Sequence, residues 1–153
     1  KGNPLSCNGV FIRRDIACSN AFNEDRDLSA SEDYELWCRL AARFPLFYSN
    51  QVTSVVIDHE ARSVRTINGE KLIKRLQLLI AYLEKEEKVI NYFGREFNKI
   101  KMDSNSYIAL HLAEIPSFKI KSITFLVKAL GNSRSLIFRK RFLATIKNIL
   151  IKW

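Results

Sequence analysis

The chain has 153 residues, 47% of them hydrophobic, which is enough to bury the core of one domain or of one and a half. Glycine and proline are scarce, at 5 and 3 residues, which excludes a low-complexity chain and argues against a sheet-rich fold with many tight turns. The net charge of +9 is uneven: residues 1–65 carry 8 Lys and Arg against 9 Asp and Glu, whereas residues 66–153 carry 17 against 7.

The first part of the chain is expected to mix short strands with one helix. Residues 6–13 and 46–57 are rich in apolar, aromatic or β-branched side chains and predict strands. Between them, Ser31 is a suitable N-cap for an amphipathic helix that Pro45 would end.

The second part is expected to be helical. An apolar stripe at helical spacing predicts a helix over 72–83 that continues toward Gly94. Further helices are predicted over 104–115, over 117–131 with Gly131 as C-cap, and from 135 to 153.

These patterns predict an α+β, mostly α protein with a domain boundary near residue 66. Residues 1–66 would form a small mixed part, and residues 67–153 would form a basic helical extension of three to four helices. The chain begins with Lys1 in a loop-like segment, so we expect it to be a fragment of a longer protein.

Cysteine usage indicates the compartment. Cys7, Cys18 and Cys38 are odd in number and have no Cys-x-x-Cys spacing, so they fit neither a disulfide framework nor a zinc site. No apolar run approaches the roughly 20 residues that span a bilayer, and no secretory signal is visible. We therefore expect reduced thiols and a cytoplasmic location.

Two adjacent carboxylates, Glu32 and Asp33, lie where a polar loop enters the predicted helix. An Asp at the rim of a cleft can accept a proton from a sugar hydroxyl, as general-base catalysis requires. Acidic residues at a helix N-terminus are also common because they cap the helix and favour its dipole, and on residue types alone this second interpretation has more weight.

Four segments resemble family 2 glycosyltransferases with the GT-A fold. Residues 31–40, Ser-Glu-Asp-Tyr-Glu-Leu-Trp-Cys-Arg-Leu, resemble the family's Glu-Asp-x-x-Leu/Trp-x-Arg-Leu segment. Residues 8–15 resemble its preceding strand, residues 21–25 resemble its Gly-Phe-Asp-Glu turn with Ala21 in place of glycine, and His59 with Arg62 and Ser63 resembles its His-x-x-x-Ser element. The order and spacing agree over residues 1–66.

The resemblance implies inverting transfer of a sugar from a nucleotide-sugar donor to a hydroxyl of a glycan or lipid-linked acceptor, in bacterial cell-surface polysaccharide or glycolipid synthesis. Asp33 matches the general base and Glu32 its acidic partner. Trp37 is interpreted as core. Arg39 would pair with Glu35 or with the donor diphosphate, and the i,i+4 spacing favours the ion pair.

His59 and Arg62 are candidates for contacts with the diphosphate, and His59 also for a metal ligand, although an ordinary surface histidine is an equal alternative. The resemblance implies Mg²⁺ or Mn²⁺, held mostly by ligands outside this chain, because the Asp-x-Asp motif and the nucleotide-binding half are expected before Lys1. The chain by itself is therefore expected to be inactive.

The C-terminal basic residues Arg139, Lys140, Arg141 and Lys147 alternate with large apolar residues. This pattern suits an anionic membrane surface and hence a peripheral location at the inner face of the cell membrane. Two alternatives are a helix that packs on its own protein and a non-catalytic basic module that docks on a membrane or a protein partner. No nucleic-acid partner is predicted, because no reader motif accompanies the charge.

Overall fold

A computed structural model describes residues 5, 7–52, 55 and 68–151, and every regular element in these ranges is helical. Short 3₁₀ turns lie at Cys7–Gly9, Arg26–Leu28, Gly94–Glu96, Pro116–Phe118 and Arg134–Phe138. The α-helices are α1 Arg14–Ser19, α2 Glu32–Ala41, α3 Gly69–Lys85, α4 Glu87–Phe93, α5 Phe97–Ala113, α6 Lys119–Asn132 and α7 Lys140–Ile151. The predicted α+β fold class, with part of a GT-A core, is therefore wrong for the described residues.

The predicted strands are not formed in the described parts of their ranges. Residues 7–13 contain a 3₁₀ turn and then irregular chain that leads into α1, and residues 46–52 have no regular structure. An extended segment becomes a strand only when a neighbouring strand satisfies its backbone N–H and C=O groups. Val10 and Ile12 instead pack their side chains against α2.

The helical prediction for the second part is correct in kind but wrong in number and bounds. Five helices, α3 to α7, lie within residues 69–151, where three to four were predicted. Glu86 has an extended backbone that separates α3 from α4. Gly94 turns the chain with a φ of +47°, so α5 begins at Phe97 instead of Ser104. Gly131 lies inside α6 instead of capping it.

Close contacts between helices build one main core. Ser122 Oγ on α6 donates a hydrogen bond of 2.7 Å to the Ala109 carbonyl on α5, and both residues are fully buried. At the start of α3, a Cβ at Gly69 would lie 3.0 Å from Leu112 Cδ2, so this position admits only glycine without rearrangement. Fully buried residues of this core include Leu79, Leu83, Met102, Ile108, Leu112 and Leu136.

The predicted domain boundary near residue 66 lies outside the described residues. On its N-terminal side, Leu28 and Cys38 belong to the same core as α3 to α7. The helix α2 therefore packs directly on the helical part of the chain.

Candidate functional site

The start of α2 holds the two adjacent carboxylates, both half-buried. Glu32 Oε2 accepts a hydrogen bond of 2.9 Å from the Ser31 N–H, and Asp33 Oδ1 accepts one of 2.7 Å from the Tyr34 N–H. Ser31 is the N-cap residue, but its side chain makes no capping hydrogen bond, contrary to the sequence prediction. The carboxylates therefore bind backbone N–H groups at the helix start, a contact that a capping role requires.

The residue before this start is backbone-strained. Ala30 has a φ of +71°, in the left-handed region that residues with a Cβ adopt at a cost. Backbone strain of this kind often occurs at functional sites, where the surrounding structure maintains it. Here it directs the chain from the Arg26–Leu28 turn into Ser31 and α2.

The Cys7 thiol is within the electrostatic influence of the two carboxylates. Partial burial, together with the nearby charges of Asp33 and Glu32, raises the pKa of the Cys7 thiol. Cys7 and Cys18 are exposed and free, and Cys38 is free and buried. Burial raises the pKa of Cys38 to about 12. None of the three cysteines, all among the described residues, forms a disulfide here, and their reduced state stays a prediction.

Residues 8–15, the first resembling segment in chain order, pack on one side of α2. Leu36, Trp37 and Leu40 are buried there in a small cluster, which is separate from the main core. The partly buried side chains packed around them are Leu5, Val10, Ile12, Ile16 and Phe44. Residues 8–15 thus reach the acidic helix without forming the expected strand.

The second resembling segment contacts α2 through Phe22 and Ala21. The ring of Phe22 meets the buried Trp37 ring edge-on, with centroids 6.2 Å apart. Arg39 donates to the Ala21 carbonyl at 2.7 Å and makes a bidentate pair with Glu35. The side chains of Glu35 and Arg39 are only 4% and 12% exposed. The predicted ion pair is present, and this placement favours a structural role for Arg39 over contact with a diphosphate.

Polar contacts between segments distant in sequence tie this region to the helices. Arg43 binds both Asn20 and Glu86. The Tyr82 hydroxyl donates a hydrogen bond of 2.7 Å to Asp25, which lowers the pKa of that carboxyl. No local spacing links partners so far apart in the chain, so the sequence alone does not predict these contacts.

The fourth resembling segment cannot be placed. His59, Arg62 and Ser63 lie outside the described residues, so their assignments to the diphosphate or to a metal stay predictions. Within the described ranges, no group of three or more His, Cys, Asp or Glu side chains is arranged to hold a metal ion. The resemblance assigns most of the metal ligands to residues outside this chain, so the metal stays a prediction.

A shallow pocket of about 380 Å³ lies at the opposite end of α2. It is lined by residues 41–46 and Tyr92. The ten residues of α2 span about 15 Å, so this pocket does not include Glu32 or Asp33.

The four predicted membrane-contacting residues divide into two pairs. Arg139 binds Asp103 at 2.7 Å, and Arg141 donates to the Asp103 carbonyl and to Ser106 and lies over the Tyr107 ring. Lys140 and Lys147 are exposed. The two arginines therefore anchor α7 to α5, which favours a structural role for them over contact with a membrane surface.

The apolar stripe predicted to face the membrane is also internal. Phe142, Ile146 and Ile149 pack against the main core, whereas Phe138 is 91% exposed. The alternative of a helix packed on its own protein is correct for this stripe. No helix in the described ranges is both long enough and apolar enough to cross a bilayer.

Comparison with protein-family models, curated proteins and solved structures gives no match.

Proposed function

We propose that the residues around α2 form the acceptor side of a sugar transferase, in which Asp33 is the general base. The observation that carries the proposal is that two of the resembling segments, residues 8–15 and 21–25, pack on a third, the helix α2. Residues 8–15 pack on Leu36 and Leu40, and residues 21–25 contact Trp37 and Arg39. The proposal rests on this local arrangement and needs no β-sheet in the described residues.

In the proposed reaction, Asp33 takes the proton of an acceptor hydroxyl as its oxygen attacks the anomeric carbon of the donor sugar. The bond between that carbon and the nucleoside diphosphate breaks, and the diphosphate leaves with the electron pair. The position of Asp33 at the start of α2 suits a general base, because its partial exposure allows an acceptor to approach. Glu32 accepts a hydrogen bond from the Ser31 N–H and would hold the backbone that orients Asp33.

Two further features agree with this assignment. Ala30, two residues before Glu32, keeps a strained backbone, as residues at active sites often do. The buried Glu35–Arg39 pair and its hydrogen bond to Ala21 hold α2 against the preceding loop. Precise placement of a base relative to its substrate is a large part of what an enzyme contributes.

The test measures nucleoside-diphosphate release from a panel of nucleotide sugars by the full-length protein, with Mg²⁺ or Mn²⁺ present. Asp33→Asn keeps the size and a hydrogen-bond acceptor but cannot take a proton. We expect a loss of about 100-fold or more in kcat, the usual contribution of a general base.

The matched control is Glu87→Gln, which removes a carboxylate from the first turn of α4. Both variants lose one favourable charge at a helix start, so both should change stability similarly, by about 0.5 kcal/mol. Only Asp33→Asn should change transfer. Wild-type turnover in that variant, with its fold intact by circular dichroism, would sink the proposal.

A further inference from the structure

The outward face of α7 combines cations with large aliphatic side chains. Leu143, Leu150 and Ile151 are 65%, 68% and 69% exposed. Lys140 and Lys147 are exposed on the same side, because positions 140, 143, 147, 150 and 151 fall on one face of a helix. We call these five residues the outer face of α7. The opposite side, with Thr145 and Ile149, is buried.

The outer face has no acidic counterpart nearby in the chain. Residues 117–153 contain nine Lys and Arg and no Asp or Glu. Several of these basic residues have acidic or carbonyl partners on other elements: Arg139 binds Asp103, Arg141 binds the Asp103 carbonyl, the buried Lys119 donates to the Ile149 carbonyl, and the exposed Lys121 pairs with Glu70. The charge left on the surface of α7 is therefore carried by Lys140 and Lys147.

A comparison with α6 shows why α7 is the better candidate. On α6, Ile120 and Val127 are 79% and 62% exposed and lie on one face of the helix. The exposed lysines of α6 lie at the edge of this apolar face and not within it. One of them, Lys121, is already paired with Glu70 on α3. On α7 the lysines alternate with the aliphatic residues along the helix, so both kinds of side chain would meet a partner together.

We propose that the outer face of α7 docks on an anionic lipid surface. Lys140 and Lys147 would contact headgroup phosphates with their ammonium groups, and their alkyl chains would lie along the apolar layer. Leu143, Leu150 and Ile151 would enter the boundary between headgroups and acyl chains, as the apolar side of an interfacial helix does. Phe138, 91% exposed just before α7, would add an aromatic anchor at the interface.

The mixture of side chains selects lipid over other polyanions. A nucleic-acid backbone would satisfy the two lysines but would leave three exposed aliphatic side chains in water. A purely apolar partner would bury the lysines without compensation. A bilayer with anionic headgroups satisfies both kinds of group on one face. This inference does not depend on the assignment of Asp33.

The experiment measures cosedimentation of the full chain with phosphatidylcholine vesicles, with and without phosphatidylglycerol, at low and high salt. We expect binding only when the anionic lipid is present, and weaker binding at high salt. Lys140→Gln with Lys147→Gln should weaken the partition coefficient about 30-fold, the effect of two interfacial cations. Leu143→Ser with Leu150→Ser should weaken it about 10-fold or more.

Matched control pairs occur elsewhere on the surface. Lys71 and Lys88 are exposed on α3 and α4, and Leu46 and Val52 are 63% and 87% exposed. The corresponding changes, Lys71→Gln with Lys88→Gln and Leu46→Ser with Val52→Ser, should leave vesicle binding unchanged. Circular dichroism and thermal melting check that every variant is folded.

A fluorescent label provides a second measurement. In a Cys7→Ser, Cys18→Ser background, an environment-sensitive dye is attached at Leu143→Cys or at Gln77→Cys, which is exposed on α3. Anionic vesicles should shift the emission to the blue only for the dye at position 143.

Three results would overturn the inference. The first is no binding to anionic vesicles at low salt, and the second is binding that survives both α7 double variants. The third is a protein that does not bind vesicles but forms a dimer, and whose dimer dissociates in Leu143→Ser with Leu150→Ser.

Discussion

The chain contains two regions that are held together in different ways. The motif region, residues 7–44, has three buried apolar residues in its own cluster and relies on the polar contacts of Arg39 and Arg43. The helical region, residues 69–151, is held by a large apolar core with fully buried residues on α3, α5 and α6. Several aromatic residues within or next to the motif region, including Phe11, Phe47 and Tyr48, are more than 80% exposed.

The difference shows how a region with little core can still present a defined surface. Directional bonds from buried charged groups fix α2 against the loop before it, and the helical region supplies a rigid support. The candidate base lies in the region that is less stabilised by packing, as is common for sites that bind ligands. The following experiments probe this contrast.

The largest expected effect separates the two cores. Leu112→Ala removes a fully buried side chain of α5 that lies against the start of α3. It should lower the free energy of unfolding by about 4 kcal/mol. Leu36→Ala acts in the small cluster, whose partly exposed neighbours can relax, and should cost about 2 kcal/mol. Urea unfolding measures both values.

Amide hydrogen exchange tells the two variants apart. Leu36→Ala should speed exchange in α1 and α2 and leave α5 protected, because the small cluster opens locally. If Leu36→Ala speeds amide exchange in α5 as much as in α2, the two regions unfold as one unit and do not differ in local stability.

Arg39→Ala tests whether polar contacts hold the motif region. It leaves the carboxylate of Glu35, 4% exposed, without its charged partner and should cost about 3 kcal/mol. The double variant Glu35→Gln with Arg39→Met removes both charges and should recover most of that loss. A neutral Arg39→Ala result would mean that the pair does not hold α2, and a role for Arg39 in binding a diphosphate would regain support.

Ala30→Gly tests the strain before α2. Glycine adopts a φ of +71° without steric cost, and this gain exceeds the added entropy of the unfolded chain. We expect an increase of about 0.5 kcal/mol in the free energy of unfolding. If Asp33 is the general base, we also expect Ala30→Gly to lower sugar transfer, because the start of α2 would be less constrained. A loss of stability would indicate that the surroundings do not strain Ala30.

The smallest expected effect is a pH dependence of the helical region. Burial lowers the pKa of His111 below 6.5, and the charges of Arg141 and Arg75 add to this against an opposing effect of Glu114. The folded chain thus binds the proton less well than the unfolded chain. Stability is complete above about pH 6.5 and decreases as the pH falls through that value toward the folded pKa.

The matching variant is His111→Phe, which keeps the ring beside Tyr107 and cannot titrate. With His59→Asn present in both proteins, thermal melts between pH 5 and pH 8 should slope for the protein with His111 and be flatter for His111→Phe. A slope of opposite sign would mean that the folded state raises the pKa of His111.

The sequence predicted the helices of the second region because their apolar residues repeat at local spacing. Leu72, Leu76, Leu79 and Leu83 form such a stripe, and all four are buried on α3. The start of α5 was missed, since it depends on the positive φ of Gly94. The strands were wrong because a strand is stabilised by pairing with a distant segment, which propensity does not report.

The site was predictable only where its contacts are local. The Glu35–Arg39 pair follows from i,i+4 spacing, and Trp37 is buried as its helical position indicated. Arg43 with Glu86 and Arg139 with Asp103 join residues far apart in sequence. Basic residues on an amphipathic helix look equally exposed in the sequence, so the division between the arginines and the lysines of α7 required the three-dimensional arrangement.

The position of Trp37 gives this protein a built-in optical reporter. The chain has two tryptophans, Trp37 and Trp153, so Trp153→Phe leaves a single indole. That indole is buried one turn after Asp33 on the same helix and touches the Phe22 ring. An acceptor that engages the start of α2 would change the emission of Trp37, so candidate glycans could be screened by titration without any assay of turnover.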